Sequence, residues 1–524
     1  MLWASGYEAV EVGGTTLHGL VAETAGGMGE SPALIDGSTG HVVSYGTLAS
    51  RIERVAAGLG ARGFGAGDVL ALWAPNLPQW AGIALGAMEA GGTVTGINPA
   101  FTRRELEVQL ADSGASVLVT VPGLVPAALA ASSTGGVREV VVLGEAEGAT
   151  PILELIGNDG PAREVATEPD GVALLPYSSG TTGLPKGVML THSNLVTSVR
   201  QVRSGLRTSG RDTTLAVAPF FHIMGFVVSL AVPLASGSTV VTMPRFDPES
   251  FFGLVQRYQV TVLAVPPPVM ALLAHHPMVD EYDLSSIELI VSGGAPLGAD
   301  LQSAVAARFP HAAVGQAWGM TETAVGVTMP DREFGSAAGS VGRVMPNTAL
   351  RVVDPDTGRD FGVGERGEMW VKGPQVMAGY LGDPGATEEA IDAEGWLKTG
   401  DLGYVEGDGD VYVVDRLKEL IKVSAYGVAP AELEAILFAH PNVADAAVVG
   451  RPDEERGEVP VAAIVPRGDL DADGLMEWVA ARVAPHKKIR EVRIVEAIPR
   501  TPSGKLLRRV LVEQERRSVL ETSN

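Results

Sequence analysis

The sequence predicts an α/β fold: a large N-terminal domain of parallel, helix-covered sheets plus a small β subdomain, followed by a small α+β C-terminal domain. Three observations predict it. From about residue 30, short apolar runs alternate with helical stretches, the pattern of parallel sheets covered by helices. Between Gly342 and Tyr404 helices mostly give way to short strands and turns. Beyond residue 417 two amphipathic helices sit among three strands, a compact unit of about a hundred residues. The domains are therefore expected at 1–417 and 418–524.

In chain order, VLALW at 69–73 reads as a strand, LPQWAGIALGAMEAG as a helix and TVTGI as a strand. Thr102 and Glu105 form a T-x-x-E capping box that marks the next helix start. ASVLVT, EVVVL and VALLPY are further strands, and THSNLVTSVRQV a helix, so the loop between Tyr177 and that helix is expected to join a strand to a helix. Residues 220–244 are the most apolar stretch, but His222, Pro233 and several Ser and Gly interrupt it, so it reads as a buried helix running into a strand rather than a membrane span. Asp247 caps a helix with Pro248 in its first turn. LIVSGGAPLG and VGQAWGMTET are strands that empty into Gly-rich loops, placed where open parallel sheets bind ligands. In the last hundred residues AELEAIL and DGLMEWVAARV are helices between ADAAVVG, PVAAIVP and EVRIVEA.

Composition narrows the function. The 524 residues carry 39 basic and 62 acidic side chains, a net charge of −23, which argues against a nucleic-acid partner and requires anionic ligands to be captured by local positive charge. With no cysteine, the protein holds no disulfide, no thiolate metal site and no enzyme-borne thioester, so any thiol must come from a partner. The amino terminus has no basic region ahead of an apolar run, and ETSN is not a peroxisomal address; a cytoplasmic protein is expected.

The chemistry centres on YSSGTTGLPKGVMLT at 177–191. Ser178, Ser179, Thr181 and Thr182 supply hydroxyls, Gly180, Gly183 and Gly187 bare backbone N–H groups, and Lys186 a positive charge, which together suit phosphate. It is not a Walker A loop, because Lys186 stands between Pro185 and Gly187. HHPMVD at 275–280 approximates an acyltransferase HHxxxDG, but Glu281 replaces the Gly and the motif falls at a helix end.

SSGTTGLPKGV resembles the phosphate loop of the adenylate-forming enzymes, most closely their 4-coumarate–CoA ligase-like group. The likeness runs from about residue 30 to about residue 510, and the blocks GMTE, TGDLG, DR, KVSAYGVAP and RTPSGK recur in the family's order. The resemblance implies ATP, Mg²⁺ and coenzyme A as cofactors and a carboxylic acid as substrate. It places Glu322 on Mg²⁺, Thr321 on phosphate and Trp318 against adenine, with Gly294, Ala295, Pro296, Gly319 and Lys422 also around the nucleotide. Asp401 and Arg416 would grip the ribose hydroxyls, Lys418 would be the hinge, and Lys505 would swing in to meet the acid carboxylate and the α-phosphate. His222 would stand at the mouth of an acid pocket lined by Ile223, Met224, Val227, Val291, Gly293, Gly294, Ala317 and Val325. Almost all of these are apolar or lack a side chain, where hydroxycinnamate ligases tend to carry polar residues matching Met224, Val227 and Val291.

Ser424, Ala425 and Tyr426 would line the coenzyme A path. The family pattern K-x-x-G-[FY]-Q-V-A-P is broken there by Ala425 and Gly427, which puts the thiolation half in question more than the adenylation half. The expected reaction is ATP-dependent formation of an acyl-adenylate followed by transfer to coenzyme A, in a monomer or homodimer. The alternative passes the acyl group to a carrier-protein thiol or another acceptor. A phosphoryl-transfer enzyme would release ADP instead, and a regulatory protein would bind ATP without acid-dependent pyrophosphate exchange.

Overall fold

The computed structural model describes residues 1–133, 136–157, 167–178, 186–424, 426–453, 456–501 and 506–522. Two large sheets form its body. In the first, strands Val172–Leu174, Thr93–Gly96, Val69–Trp73, Ala115–Thr120 and Glu139–Val142 run parallel as neighbours. In the second, Ala313–Gln316, Leu289–Ser292, Val262–Val265, Thr213–Ala216, Thr239–Thr242 and Pro32–Asp36 do the same. Strands buried on both faces need no polar alternation, and LIVS and VLAV are buried at every position. One apolar core joins helices Leu17–Met28, Tyr45–Ala61, Gln79–Glu89 and His192–Leu206 to residues of both sheets.

Local signals place several helices as the sequence implies. Thr102 and Glu105 form the capping box of Arg103–Ser113, and Asp247 caps Pro248–Tyr258 by accepting from the Ser250 N–H. The apolar stretch at 220–244 differs in detail. It is a helix in three parts, α at Ile223–Phe226, π at Val227–Ala231 and α at Val232–Ala235, before strand Thr239–Thr242. Such π segments are frequent at functional sites.

The β subdomain is an antiparallel sheet of Leu2–Ala4, Ala349–Val353, Gly367–Lys372, Leu397–Val405 and Val411–Arg416. After a 3-10 turn at Leu417–Glu419, strand Ile421–Val423 enters a separate sheet with Tyr426–Val428, Gly457–Pro466, Val443–Asp453 and Glu491–Ile494. That sheet has its own core, with Leu433, Leu437, Leu475 and Val479 at its centre. Among the described residues, no helix is long and apolar enough to cross a membrane.

Two histidines, His192 buried and His18 half-buried, meet where helix Leu17–Met28 packs on helix His192–Leu206. The rings of His18 and His192 stand edge to face at 5.5 Å, and His192 Nδ1 accepts the Leu17 N–H at 3.1 Å. Burial pushes His18 down to about 4 and His192 down to about 3, the latter helped by His18. The unfolded chain, titrating near 6.5, therefore takes up protons that the fold excludes. Stability is full above about pH 6.5 and falls as the pH drops from there towards 3, by up to about 1.4 kcal/mol per pH unit and histidine. Thermal unfolding of wild type and His192→Gln between pH 7 and 4 is expected to give a shallower decline in the variant; parallel curves would refute the assignment.

Candidate nucleotide and acid site

The flanks of the 177–191 stretch form a hairpin, not a strand-to-helix junction. Strand Tyr177–Ser178 pairs antiparallel with Lys186–Thr191, and only then does helix His192–Leu206 begin, with Thr191 as its cap. This corrects the expected topology. The reason is local: KGVMLT carries β-branched and apolar residues whose edge is taken by Leu174 on one side and Gly379–Tyr380 on the other. Ser179, Gly180, Thr181, Thr182 and Gly183 lie outside the described residues, as do Ala425 and Lys505.

Lys186 is accordingly held at a strand end. Its ammonium is 3.2 Å from Asp383 Oδ2 and 5.1 Å from the centre of the Tyr380 ring. The Tyr380 hydroxyl in turn donates to Glu322 Oε1 at 2.9 Å. Burial first and the Glu322 charge second push that phenol well above its ordinary range, so it stays a donor. Thr321 and Glu322 lie in a 3-10 turn beside the two short strands that flank the loop. Glu322 is only 6% exposed. The ordinary expectation for a loop glutamate, full solvation, does not hold here.

Strand Ala313–Gln316 empties into a loop with a constrained backbone. Ala324 and Val325 both have positive φ, 46° and 111°, and a β-branched residue at 111° is a strained conformation. Gly319 explains how the loop closes: a Cβ there would fall 2.1 Å from the Val325 carbonyl oxygen. The turn thus presents Trp318, whose indole N–H donates to Asp401 Oδ2 at 2.8 Å. The other oxygen, Oδ1, is 3.3 Å from the Arg416 Nε, and the two residues face each other across strands Leu397–Val405 and Val411–Arg416. Trp318, Asp401 and Arg416 are one cluster of buried indole, buried acceptor and half-buried cation.

Met224 lies over Gly293 and Gly294: a Cβ added at either would sit 3.6–3.8 Å from its Sδ. Gly294 has φ +82°, and the Ala317 carbonyl is 3.8 Å from the same point above Gly293. Ile223, Val227 and Val291 are buried in the main core next to these residues, with Ala317 and Val325 packed against it. His222 opens helix Ile223–Phe226, its Nδ1 accepting from the Met224 N–H at 3.3 Å. Ala295 and Pro296 continue the exposed loop beyond Gly294.

In the small domain Lys422 and Ser424 are exposed, Ser424 with φ 55° and its N–H on the Arg456 carbonyl, while Gly427 faces Lys422 across a strand pair. Lys418 is exposed in the 3-10 turn between the two sheets. Sequence reasoning missed Tyr380 and Asp383. The Asp383–Pro384 helix start was legible as a cap, but nothing local signals that it lies against Lys186, 197 residues earlier.

A magnesium ion fits this donor set. Mg²⁺ is normally bound through one or two carboxylates together with phosphates and water, so a single buried carboxylate beside the phosphate loop suffices. Glu322, 6% exposed, could supply that carboxylate, and among the described residues no group of three or more metal-ligating side chains exists.

Comparison with known proteins follows the same lines. The AMP-binding enzyme family matches residues 21–381, and the AMP-binding enzyme C-terminal domain matches residues 432–505. 4-Coumarate–CoA ligase 3 of Oryza sativa subsp. japonica is 42% identical over 494 residues, 92% of this chain and 89% of that protein. 4-Coumarate–CoA ligase 2 of Nicotiana tabacum is 41% identical over 506 residues, 94% and 93% of the two chains. ATP-bound MatB from Rhodopseudomonas palustris, 28% identical, superposes with a TM-score of 0.87 over 95% of this chain and 99% of its own. The apo form of MatB, 29% identical over the same shares, gives 0.77.

Proposed function

The chain belongs to the AMP-binding enzyme family and is an AMP-forming acid–CoA ligase, and from that premise we propose how its residues divide the work and which acid it takes. In the first step the acid carboxylate attacks the α-phosphorus of ATP and pyrophosphate leaves. In the second the thiol of coenzyme A attacks the acyl carbonyl and AMP leaves. Trp318 stacks on adenine and Asp401 with Arg416 binds the ribose, a buried carboxylate being suited to accept two hydroxyl donors. Ser178 to Gly183 and Lys186 cradle the phosphates, with Thr321, Gly319, Gly294, Ala295, Pro296 and Lys422 around the nucleotide. Glu322, oriented by Tyr380, would hold Mg²⁺, which when bound would supply charge neutralisation at the phosphates.

The small domain, 418–524, turns about Lys418, delivering Lys505 to the first step and the Ser424–Ala425–Tyr426 segment to the second, with His222 at the mouth of the acid pocket. Lys505 supplies a cation where charge builds on the equatorial oxygens. The protein works in the cytoplasm as a monomer or homodimer, and coenzyme A, rather than a carrier protein, is its acceptor.

The substrate is an unhydroxylated aryl acid or a medium-chain fatty acid. The observation that carries this is the grouping of Met224 with Gly293, Gly294 and Ala317 beside buried Val227 and Val291. A ring hydroxyl left unpaired among such groups costs about 1–3 kcal/mol. A second reading has one observation in its favour. Ser229, in the π segment with Val227, has a buried hydroxyl without a hydrogen-bond partner among the described residues, and an acid bearing one hydroxyl would satisfy it. Turnover of cinnamate and octanoate is expected to exceed that of 4-coumarate by about ten- to a hundredfold. A preference for 4-coumarate, abolished by Ser229→Ala, would establish the second reading instead.

A further inference from the structure

The described residues on either side of the stretch that carries Lys505 are paired with each other and with the rest of the small domain. Arg500 and Leu506 face each other in a β-bridge, and the Leu507 N–H donates to the Pro499 carbonyl at 2.9 Å, so the chain leaves and re-enters at one point. At the outgoing foot, Arg500 reaches strand Val443–Asp453: its Nη2 is 2.7 Å from Asp445 Oδ1 and its Nε 3.2 Å from Oδ2. At the returning foot, Arg508 is bound more heavily. Its two Nη groups fork onto the two oxygens of Glu434 in helix Pro430–Phe438, at 2.5 and 2.8 Å. Its Nη1 also donates to the Val448 carbonyl at 2.7 Å, and its Nε to Glu419 Oε2 at 2.6 Å.

Each contact has a directional consequence. Glu434 is itself held by the Val448 N–H at 2.7 Å, and the Arg508 and Glu434 side chains are only 13% and 12% exposed. Glu419 ends the 3-10 turn that contains Lys418. Across that turn, in the large domain, Asp415 accepts the Ala431 N–H at 2.9 Å, at the start of the helix that carries Glu434. Burial pushes the Asp415 carboxyl up to about 6, opposed by the facing Arg508 charge and reinforced by Glu419. Arg508 thus ties together the turn between the domains, the first helix of the small domain and the foot of the Lys505 segment.

We propose that Arg500 and Arg508 are positioning residues for adenylation: paired forks that aim the Lys505 segment and make it move as one body with the turn at Lys418. The inference rests on the reading of Lys505 given above. A flat guanidinium matches a carboxylate through two parallel hydrogen bonds, which an ammonium cannot reproduce. The fork therefore fixes an angle as well as a charge, and misplacing a catalytic group by about 1 Å costs about 10²-fold.

The test measures the two half-reactions separately, in the full-length protein, for Arg508→Lys, Arg500→Lys and Lys505→Ala. Adenylation is read by acid-dependent pyrophosphate exchange, and thiolation by thioester yield from supplied acyl-adenylate and coenzyme A. Both arginine variants are expected to lose adenylation by about tenfold to a hundredfold, in kcat rather than in the KM for ATP, with thiolation within about threefold of wild type. If both half-reactions fall together with the melting temperature, the arginines only hold the small domain folded, and the proposal is overturned. Were Lys505→Ala to abolish exchange while both arginine variants keep it, the anchoring role would be overturned and the reading of Lys505 would stand. Normal exchange in Lys505→Ala would overturn that reading and, with it, the inference.

Discussion

Lys505→Ala is expected to slow acid-dependent pyrophosphate exchange by about 10²- to 10³-fold, the cost of removing one preorganised donor from a transition state that gathers negative charge. The reasoning starts from the reactants. A carboxylate and a triphosphate repel, and in a chain of net charge −23 the surrounding field does nothing to relieve this. Local cations must do it. Lys186 is committed to Asp383 at 3.2 Å and lies over Tyr380, and Arg416 is committed to Asp401 at 3.3 Å. Both are built into the large domain and, in the proposed roles, would meet substrate and transition state alike, so their contribution would fall mainly on binding. A cation that arrives with the small domain contributes to the transition state selectively. ATP affinity is accordingly expected to change little in Lys505→Ala, and thioester formation from supplied acyl-adenylate to survive. Exchange at the wild-type rate, or release of ADP in place of AMP, would overturn the mechanism.

The legible parts of this protein are those whose cause is local. The Thr102–Glu105 box and the Asp247–Pro248 start needed only neighbouring residues, and both helices begin where those signals put them. Strands Val69–Trp73 and Leu289–Ser292 were visible as short apolar runs between turns. What escaped depends on partners far along the chain. Leu2–Ala4 is a strand because Ala349–Val353 offers it an edge. The run at 177–191 looks like strand, loop and helix until Gly379–Tyr380 and Val172–Leu174 show that Lys186–Thr191 is a strand too. Trp318, Asp401 and Arg416 were each named from family blocks, yet only the structure joins them through one carboxylate. Glu322 is the clearest case: its residue type said solvent, and its burial comes from a turn packed beside strands Tyr177–Ser178 and Lys186–Thr191.

Arg332→Ala is expected to cost the large domain about 3–5 kcal/mol, the largest single loss of stability, with little change in turnover. Arg332 forks onto Asp212, Nη1 to Oδ2 at 3.1 Å and Nη2 to Oδ1 at 2.6 Å, and also reaches Glu288 at 2.8 Å and the Leu206 carbonyl at 3.3 Å. It thereby joins the end of helix His192–Leu206 to the entrances of strands Thr213–Ala216 and Leu289–Ser292, away from Lys186 and Glu322. Asp212 is 2% exposed, and burial alone would push its carboxyl up; the guanidinium and the Ser209 N–H more than offset this and hold it below its ordinary range. A carboxyl depressed in the fold stabilises above its unfolded value, near 3.9, and loses that contribution only as the pH falls through the lower folded value. Without Arg332 the sign reverses. The stranded carboxylate becomes a buried, uncompensated charge, and the variant's deficit is greatest at neutral pH and shrinks as acid neutralises Asp212. Adding Asp212→Asn to Arg332→Ala removes both charges and is expected to restore much of the loss, because replacing a whole buried pair costs far less than breaking it. Urea unfolding of the three proteins at pH 7 and pH 5 checks this. A single variant as stable as wild type, or a double variant no better than the single, would refute the claim that this pair matters through the charge left behind.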